Sequence, residues 1–180
     1  GQHEAQMVYN FSLPPLVLDA LRRGDGALLS RWAATLDTPS DRTSFFNFTA
    51  SHDGIGVRPL EGMAPAHVLE GLVELVSARG GRVSYRHMPD GSKKPYELNV
   101  TYVDALRGSE KQAGDAHFVS RVLASQAIAC TVPGMPAVYI GTLLGSRNWQ
   151  QGVEQTGHPR TINRQKLDLP ALESSWDRIA

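Results

Sequence analysis

Thr43-Ser44-Phe45-Phe46-Asn47-Phe48-Thr49-Ala50-Ser51-His52-Asp53-Gly54-Ile55-Gly56 is the stretch on which the reading of the fold turns. Its first half, Thr43 to Ala50, is short, apolar and aromatic, as a buried strand of a parallel sheet is. The glycines at 54 and 56 end that strand sharply, so His52 and Asp53 are expected at its C-terminal mouth. Barrel enzymes build their sites at that end of their strands. Asp-Gly is by itself an ordinary turn signal, so the surrounding segments must decide between a turn and a site.

Upstream, Pro14-Pro15 suits the first turn of a helix that continues through Leu16 to Arg22 and stops at Gly24. Ala27 to Leu36 carries Leu28, Leu29, Trp32 and Leu36 at helical spacing, which puts Trp32 in the core. Downstream, Ala66 to Ala78 is helical through Val68, Leu69, Leu72, Val73, Leu75 and Val76, and Gly80-Gly81 ends it. Arg82 to Arg86 alternates polar and apolar residues before the turn-rich Pro89-Asp90-Gly91-Ser92, so a short strand is expected. Asp115 to Ala129 reads as a long helix whose apolar face holds Phe118, Val119, Val122, Leu123, Ala127 and Ile128. Pro133-Gly134-Met135-Pro136 breaks it, and Ala137-Val138-Tyr139-Ile140 is expected as the next buried strand. Strand, excursion, helix, strand is one βα step of a parallel α/β fold with an insertion.

The 180 residues carry a formal net charge of zero, which gives no global attraction to nucleic acid or to an anionic membrane. No signal peptide and no long apolar span is visible. The single cysteine, Cys130, excludes an internal disulfide and favours a reducing, cytoplasmic setting. With no base beside it in sequence, Cys130 is expected to be a small buried packing residue. The six histidines lack metal-ligand spacing, so His3, His67, His87, His117 and His158 read as surface or packing residues and no metal is expected. Glycine-rich nucleotide motifs are absent. The chain starts at Gly1 and enters structure almost at once, so it is read as an excerpt of a longer protein.

Four separated words occur in order: Val8-Tyr9-Asn10-Phe11-Ser12-Leu13-Pro14-Pro15-Leu16, Ser51 to Gly56, Pro133-Gly134-Met135-Pro136, and Gly157-His158-Pro159-Arg160-Thr161-Ile162-Asn163-Arg164. Together they resemble the sucrose phosphorylase group of the α-amylase superfamily, glycoside hydrolase family thirteen, over nearly the whole chain. The resemblance implies the C-terminal part of a (β/α)8 (TIM) barrel with a small inserted subdomain after the seventh strand. Residues 1–57 would be a barrel segment ending in that strand, 58–99 the inserted subdomain and acceptor loop, and 100–180 the last barrel helix, the eighth strand and the following loop. It also implies retaining phosphorolysis of an α-glucoside through a covalent glucosyl-enzyme, with inorganic phosphate as co-substrate and no cofactor.

By the same resemblance Asp53 is the transition-state stabiliser that grips the ring hydroxyls, and His52 donates to the same region. Arg160 matches the arginine on the far side of the glucosyl ring, while Asn163 and Arg164 brace its loop. The nucleophile and the acid/base would precede Gly1; Glu4 falls in a segment that follows the acid/base and is not assigned that role. Tyr96 and Glu97 align with a mobile acceptor-site loop. Sucrose-specific members usually have glutamine at the Glu97 position and aspartate near Lys94, so this chain departs from them and looks closer to the glucosylglycerate phosphorylase type. Arg58, Lys94 and Lys93 are then candidates to meet a glycerate carboxylate, or equally a sugar phosphate, since cations suit both groups. The alternatives are an α-glucoside hydrolase or transglucosidase of the same superfamily, or a non-catalytic fragment. Alone, the excerpt is expected to be inactive and to leave a barrel edge unpaired.

Overall fold

The computed structural model describes residues 5–38, 40–108 and 115–176; His3 and Glu4 lie outside the described residues. The chain begins with a short strand, β1 (Met7–Tyr9), and turns at Asn10 into α1 (Leu13–Arg23). Pro14 and Pro15 occupy the first helical turn, where a missing N–H costs nothing. Gly24, at φ 66°, closes α1 by donating its N–H to the Ala20 carbonyl. α2 (Ala27–Ala33) follows and buries Leu28 and Trp32 as expected. Next come β2 (Ser44–Asn47), β3 (Ile55–Gly56), a 3-10 turn at Arg58–Leu60 and α3 (Ala66–Ala78). Then β4 (Arg82–His87), β5 (Lys93–Asn99), the short α4 (Tyr102–Ala105) and α5 (Phe118–Thr131) lead to β6 (Met135–Pro136). The chain finishes with α6 (Ile140–Leu143), α7 (Gln150–Thr156), a 3-10 turn at Pro159–Asn163 and α8 (Leu169–Trp176).

Two sheets organise these elements. The first is parallel in the order β1-β2-β6, with Val8 opposite Phe45 and Asn47 opposite Pro136. The second is antiparallel in the order β3-β5-β4, with Ile55 opposite Leu98 and Gly56 opposite Glu97. The core lies between α1, α2, α3 and the second sheet, and Leu16, Leu72, Val76, Leu98 and Tyr102 are fully enclosed in it. The Tyr102 hydroxyl donates to the Pro14 carbonyl at 2.9 Å, tying α4 to the first turn of α1.

Asn47 explains the parallel sheet's register. Its side chain is wholly buried, its Oδ1 accepts from Asn10 at 2.9 Å, and its Nδ2 donates to the carbonyls of Val132 and Pro133 at 3.2 and 3.1 Å. One amide therefore joins the end of β1, β2 and the turn into β6, satisfying polar groups that burial would otherwise penalise. Gly134 is obligatory in that turn: at φ +137° a Cβ would come within 2.6 Å of Asn47 Nδ2 and 2.7 Å of the Phe45 carbonyl.

Three expectations are corrected here. The strand expected at Ala137 to Ile140 lies earlier, at Met135–Pro136, because Asn47 and Gly134 draw those residues against β2; Ile140 instead opens α6. Cys130 is exposed, since α5 turns Ser125 and Ala129 inward and Cys130 outward. The apolar face expected on α5 is also only partly covered, with Val119 and Leu123 exposed. β1 itself escaped the sequence reading, being only three residues long.

The parallel sheet exposes Met7, Val8, Tyr9 and Met135, and nearby Phe11, Val138, Ile140 and Leu143 are exposed too. Contiguous apolar surface of this kind, beside open strand edges, favours association. The 180-residue chain on its own is expected to self-associate at micromolar concentration; sedimentation showing a monodisperse monomer would contradict this.

Candidate active site

The segment after β2 is held from below. Thr49 is buried and accepts a hydrogen bond from Gln126 of α5 at 2.9 Å, and the Ser51 hydroxyl accepts from the Asp53 N–H at 3.1 Å. Gly54 then permits a close approach that no other residue allows. A Cβ there would stand 2.6 Å from Glu97 Cγ and 2.8 Å from the Leu98 carbonyl. Asp53 and Glu97 thereby come to one place from β2 and β5.

The third component is the 3-10 turn at Pro159–Asn163. Gly157, at φ 69°, closes α7 and releases the chain into that turn. Ile162 and Asn163 are buried beneath it, and the Tyr139 hydroxyl donates to the Asn163 carbonyl at 2.7 Å. The turn presents Arg160 as a fork. Its Nε and Nη2 meet the two Glu97 carboxylate oxygens at 3.0 and 2.8 Å, and its Nη1 donates to Asp53 Oδ1 at 3.2 Å. The hydrogen bond that Arg160 donates to Glu97 is the main cause of its raised pKa; burial opposes it, and the charges of Glu97 and Asp53 add to it. Arg160 therefore stays a cation at any working pH.

Arg164 stands on the other side of Asp53. Its Nη2 donates to Oδ1 at 2.8 Å and its Nε to the His52 carbonyl at 3.0 Å, while Asn163 Nδ2 donates to the Asp53 carbonyl at 3.2 Å. The charges alternate along one line, Arg164, Asp53, Arg160, Glu97, and they balance. His52 Nε2 lies 3.6 Å from Asp53 Oδ2 and its ring is largely exposed.

This cluster borders a cavity of about 250 Å³ at the C-terminal ends of the parallel strands. Asp53, Glu97 and Arg160 supply polar wall, and Phe11, Phe48 and Ile162 apolar wall. Apolar walls with a few convergent polar groups are the usual makeup of a small-molecule site. Of the other residues singled out in the sequence, Tyr96 and His52 adjoin the cluster without lining the cavity, Tyr96 being near enough to influence Arg160. Arg58, exposed on the turn beyond β3, and Lys94, exposed on the hairpin opposite Arg86, do not line it.

Two features of this region were not foreseen. Tyr139, read as a strand residue, lines the cavity and pins the arginine turn. Arg147 also lines the cavity and is bonded through Nε to the buried Asp104 carboxylate. The spacing Thr101-x-x-Asp104 is a helix-start signal that could have located α4, whose Thr101 hydroxyl accepts the Asp104 N–H at 3.2 Å. Among the described residues no group of three or more His, Cys, Asp or Glu could hold a metal ion, and no helix is long and apolar enough to cross a membrane.

By its relatives, this mixed α/β chain is similar to phosphorylases of the sucrose phosphorylase group of glycoside hydrolase family thirteen. It is 50% identical over 169 residues to the glucosylglycerate phosphorylase of Spirochaeta thermophila, a match covering 94% of this chain and 28% of that protein. The Escherichia coli glucosylglycerate phosphorylase is 48% identical over 166 residues, covering 92% of this chain and 29% of the relative. The crystal structure of sucrose 6F-phosphate phosphorylase from Thermoanaerobacter thermosaccharolyticum matches with a TM-score of 0.77 at 28% identity, covering 94% of this chain and 32% of that one. No protein-family model matches the chain. The chain thus spans less than a third of the length of these relatives.

Proposed function

We propose that this chain forms part of the active site of a retaining phosphorylase that moves a glucosyl unit between an α-glucoside and inorganic phosphate, with glucosylglycerate as the glucoside. In this reading the parallel sheet belongs to a (β/α)8 barrel, β2 being its seventh strand and β6 its eighth, and residues 58–99 are an inserted subdomain carrying the acceptor loop. A carboxylate elsewhere in the enzyme attacks the anomeric carbon while an acid protonates the departing glycosidic oxygen. A phosphate oxygen then attacks the same carbon and expels the carboxylate, giving α-glucose 1-phosphate with net retention. Both steps pass through an oxocarbenium-like state. Asp53 would accept the ring's 2-hydroxyl hydrogen bond, which tightens as positive charge develops on the ring.

The observation that carries this reading is Asp53 itself. It stands beyond β2 on the cavity wall, with Oδ1 taken by two guanidiniums and, among the described residues, no arginine hydrogen bond to Oδ2. The glucosylglycerate phosphorylase relatives favour glycerate as the acceptor. Glu97, buried and paired with Arg160, supports an acceptor side whose charge is set by that pair.

The test is phosphate release from glucose 1-phosphate by the complete enzyme, offered glycerate, fructose, fructose 6-phosphate or glycerol in turn. Release that depends on glycerate is expected. Acceptor-independent release points to a hydrolase, and preference for fructose removes glycerate from the reading. Glu97→Gln should also lower the KM for phosphate. It removes one negative charge beside Arg160, and one unit charge at about 4 Å in a water-like medium is worth about 1 kcal/mol, roughly fivefold. An unchanged or raised KM would separate Glu97 from phosphate binding.

A further inference from the structure

We infer that Arg164 is a positioning residue for glucosyl transfer, acting through Asp53 by fixing which carboxylate oxygen faces the sugar. The inference rests on the reading of Asp53 as the group that grips the ring. Arg164 and Arg160 both donate to Oδ1, at 2.8 and 3.2 Å, whereas among the described residues no arginine hydrogen bond goes to Oδ2. A carboxylate rotates about its terminal torsion with little resistance, so an unheld Asp53 would present either oxygen. Two donors on one oxygen remove that freedom and leave Oδ2, 3.6 Å from His52 Nε2, as the acceptor for a sugar hydroxyl.

Arg164 also holds the backbone that carries Asp53. Its Nε donates to the His52 carbonyl at 3.0 Å, so one planar group spans a main-chain oxygen and the neighbouring side chain. Asn163 grips the Asp53 carbonyl at 3.2 Å and is itself held by Tyr139 at 2.7 Å, so the clamp is anchored at the start of α6. Lysine would not reproduce the fixed geometry of the two Arg164 bonds, because its donors radiate from one nitrogen on a flexible stem. Arg164 is also 43% exposed, so its loss opens no cavity and should cost little stability. Arg160 differs in role, since it touches Glu97 as well and so joins Asp53 to the acceptor side.

A double-mutant cycle in the complete enzyme tests this, with α-glucosyl fluoride as donor so that slow variants remain measurable. Arg164→Ala is expected to lower kcat about 100-fold, the cost of an ångström-scale misplacement of a reacting group, with the donor KM within about threefold and the melting temperature unmoved. Arg164→Lys should recover less than tenfold of that loss. In an Asp53→Asn background, the further cost of Arg164→Ala should shrink to under about threefold, because its effect runs through the carboxylate already removed. An equal cost in both backgrounds, or a fully active Arg164→Ala, overturns the inference while leaving Asp53 its role. A fully active Asp53→Asn overturns the underlying reading instead. If Arg164→Ala does not accumulate, the same cycle is run with Arg164→Gln, which keeps an amide donor and a similar length.

Discussion

Asp53→Asn in the complete enzyme is expected to lower kcat about 1,000-fold while the melting temperature holds. The substitution preserves shape, and the cluster makes its effect specific. Two guanidiniums converge on one side of Asp53, and both are donors. An asparagine will therefore turn its carbonyl oxygen toward them and its NH₂ toward the cavity. The sugar then meets a donor where the carboxylate offered an acceptor, and the negative charge is lost where positive charge develops on the ring. Removing one preorganised group of this kind costs about 10² to 10³ in kcat, and losing the full charge puts the expectation at the upper end. Asp53 is 39% exposed, and ion pairs so placed contribute little to folding. Glucosyl transfer and thermal melting, measured on one preparation, check both halves. Turnover within a few-fold of wild type would remove Asp53 from the chemistry.

That carboxylate was legible in the sequence because its signals are local. Phe45 to Phe48 reads as a strand and β2 forms there, but it stops at Asn47 rather than at the glycines, and Ile55–Gly56 is itself β3; Asp53 lies in the interval between the two. α1 and α3 were legible for the same reason, each having a proline at its start and a glycine after its end. What could not be read is contact across the fold. Arg160 and Glu97 are 63 positions apart, and nothing near either residue announces a two-oxygen ion pair. The misplaced strand expected after Pro136 has a similar cause. Ala137-Val138-Tyr139-Ile140 is more β-prone than Met135-Pro136, yet a buried amide on β2 decides which residues pair. Lys94 and Arg58 show the converse: the resemblance and their charge made them acceptor-side candidates, and the hairpin and the turn hold them off the wall of this cavity.

Asp104→Ala is expected to be the most destabilising single change on the site's supporting side, at about 2 to 3 kcal/mol. The Asp104 carboxylate is 6% exposed. Its Oδ1 is bonded by Arg147 and lies 3.6 Å from Arg107 Nε, and its Oδ2 accepts the Asn148 N–H at 2.7 Å. Asn148 in turn accepts from the Thr101 N–H at 2.8 Å and donates to the Arg79 carbonyl at 2.9 Å, so α3, α4 and the approach to α7 are tied at one point. Breaking a fully buried ion pair costs about 3 to 5 kcal/mol, but Arg147 is 55% exposed and can turn to water, which lowers the figure. The stranded Asn148 N–H cannot relax so easily and retains about 1 kcal/mol or more of the penalty. Asp104→Asn should cost less, since an amide oxygen can still serve Asn148 while its NH₂ opposes Arg147. Urea denaturation of the complete enzyme, with the slope unchanged, reads the difference directly. The effect should reach the site as well, because the Trp149 N–H donates to the Ile162 carbonyl at 3.1 Å within the turn that carries Arg160. A loosened anchor at Asp104 would then lower kcat together with stability. A loss below about 0.5 kcal/mol, the usual range for an inconsequential surface change, would show that the Thr101 and Asn148 contacts hold this corner without the carboxylate.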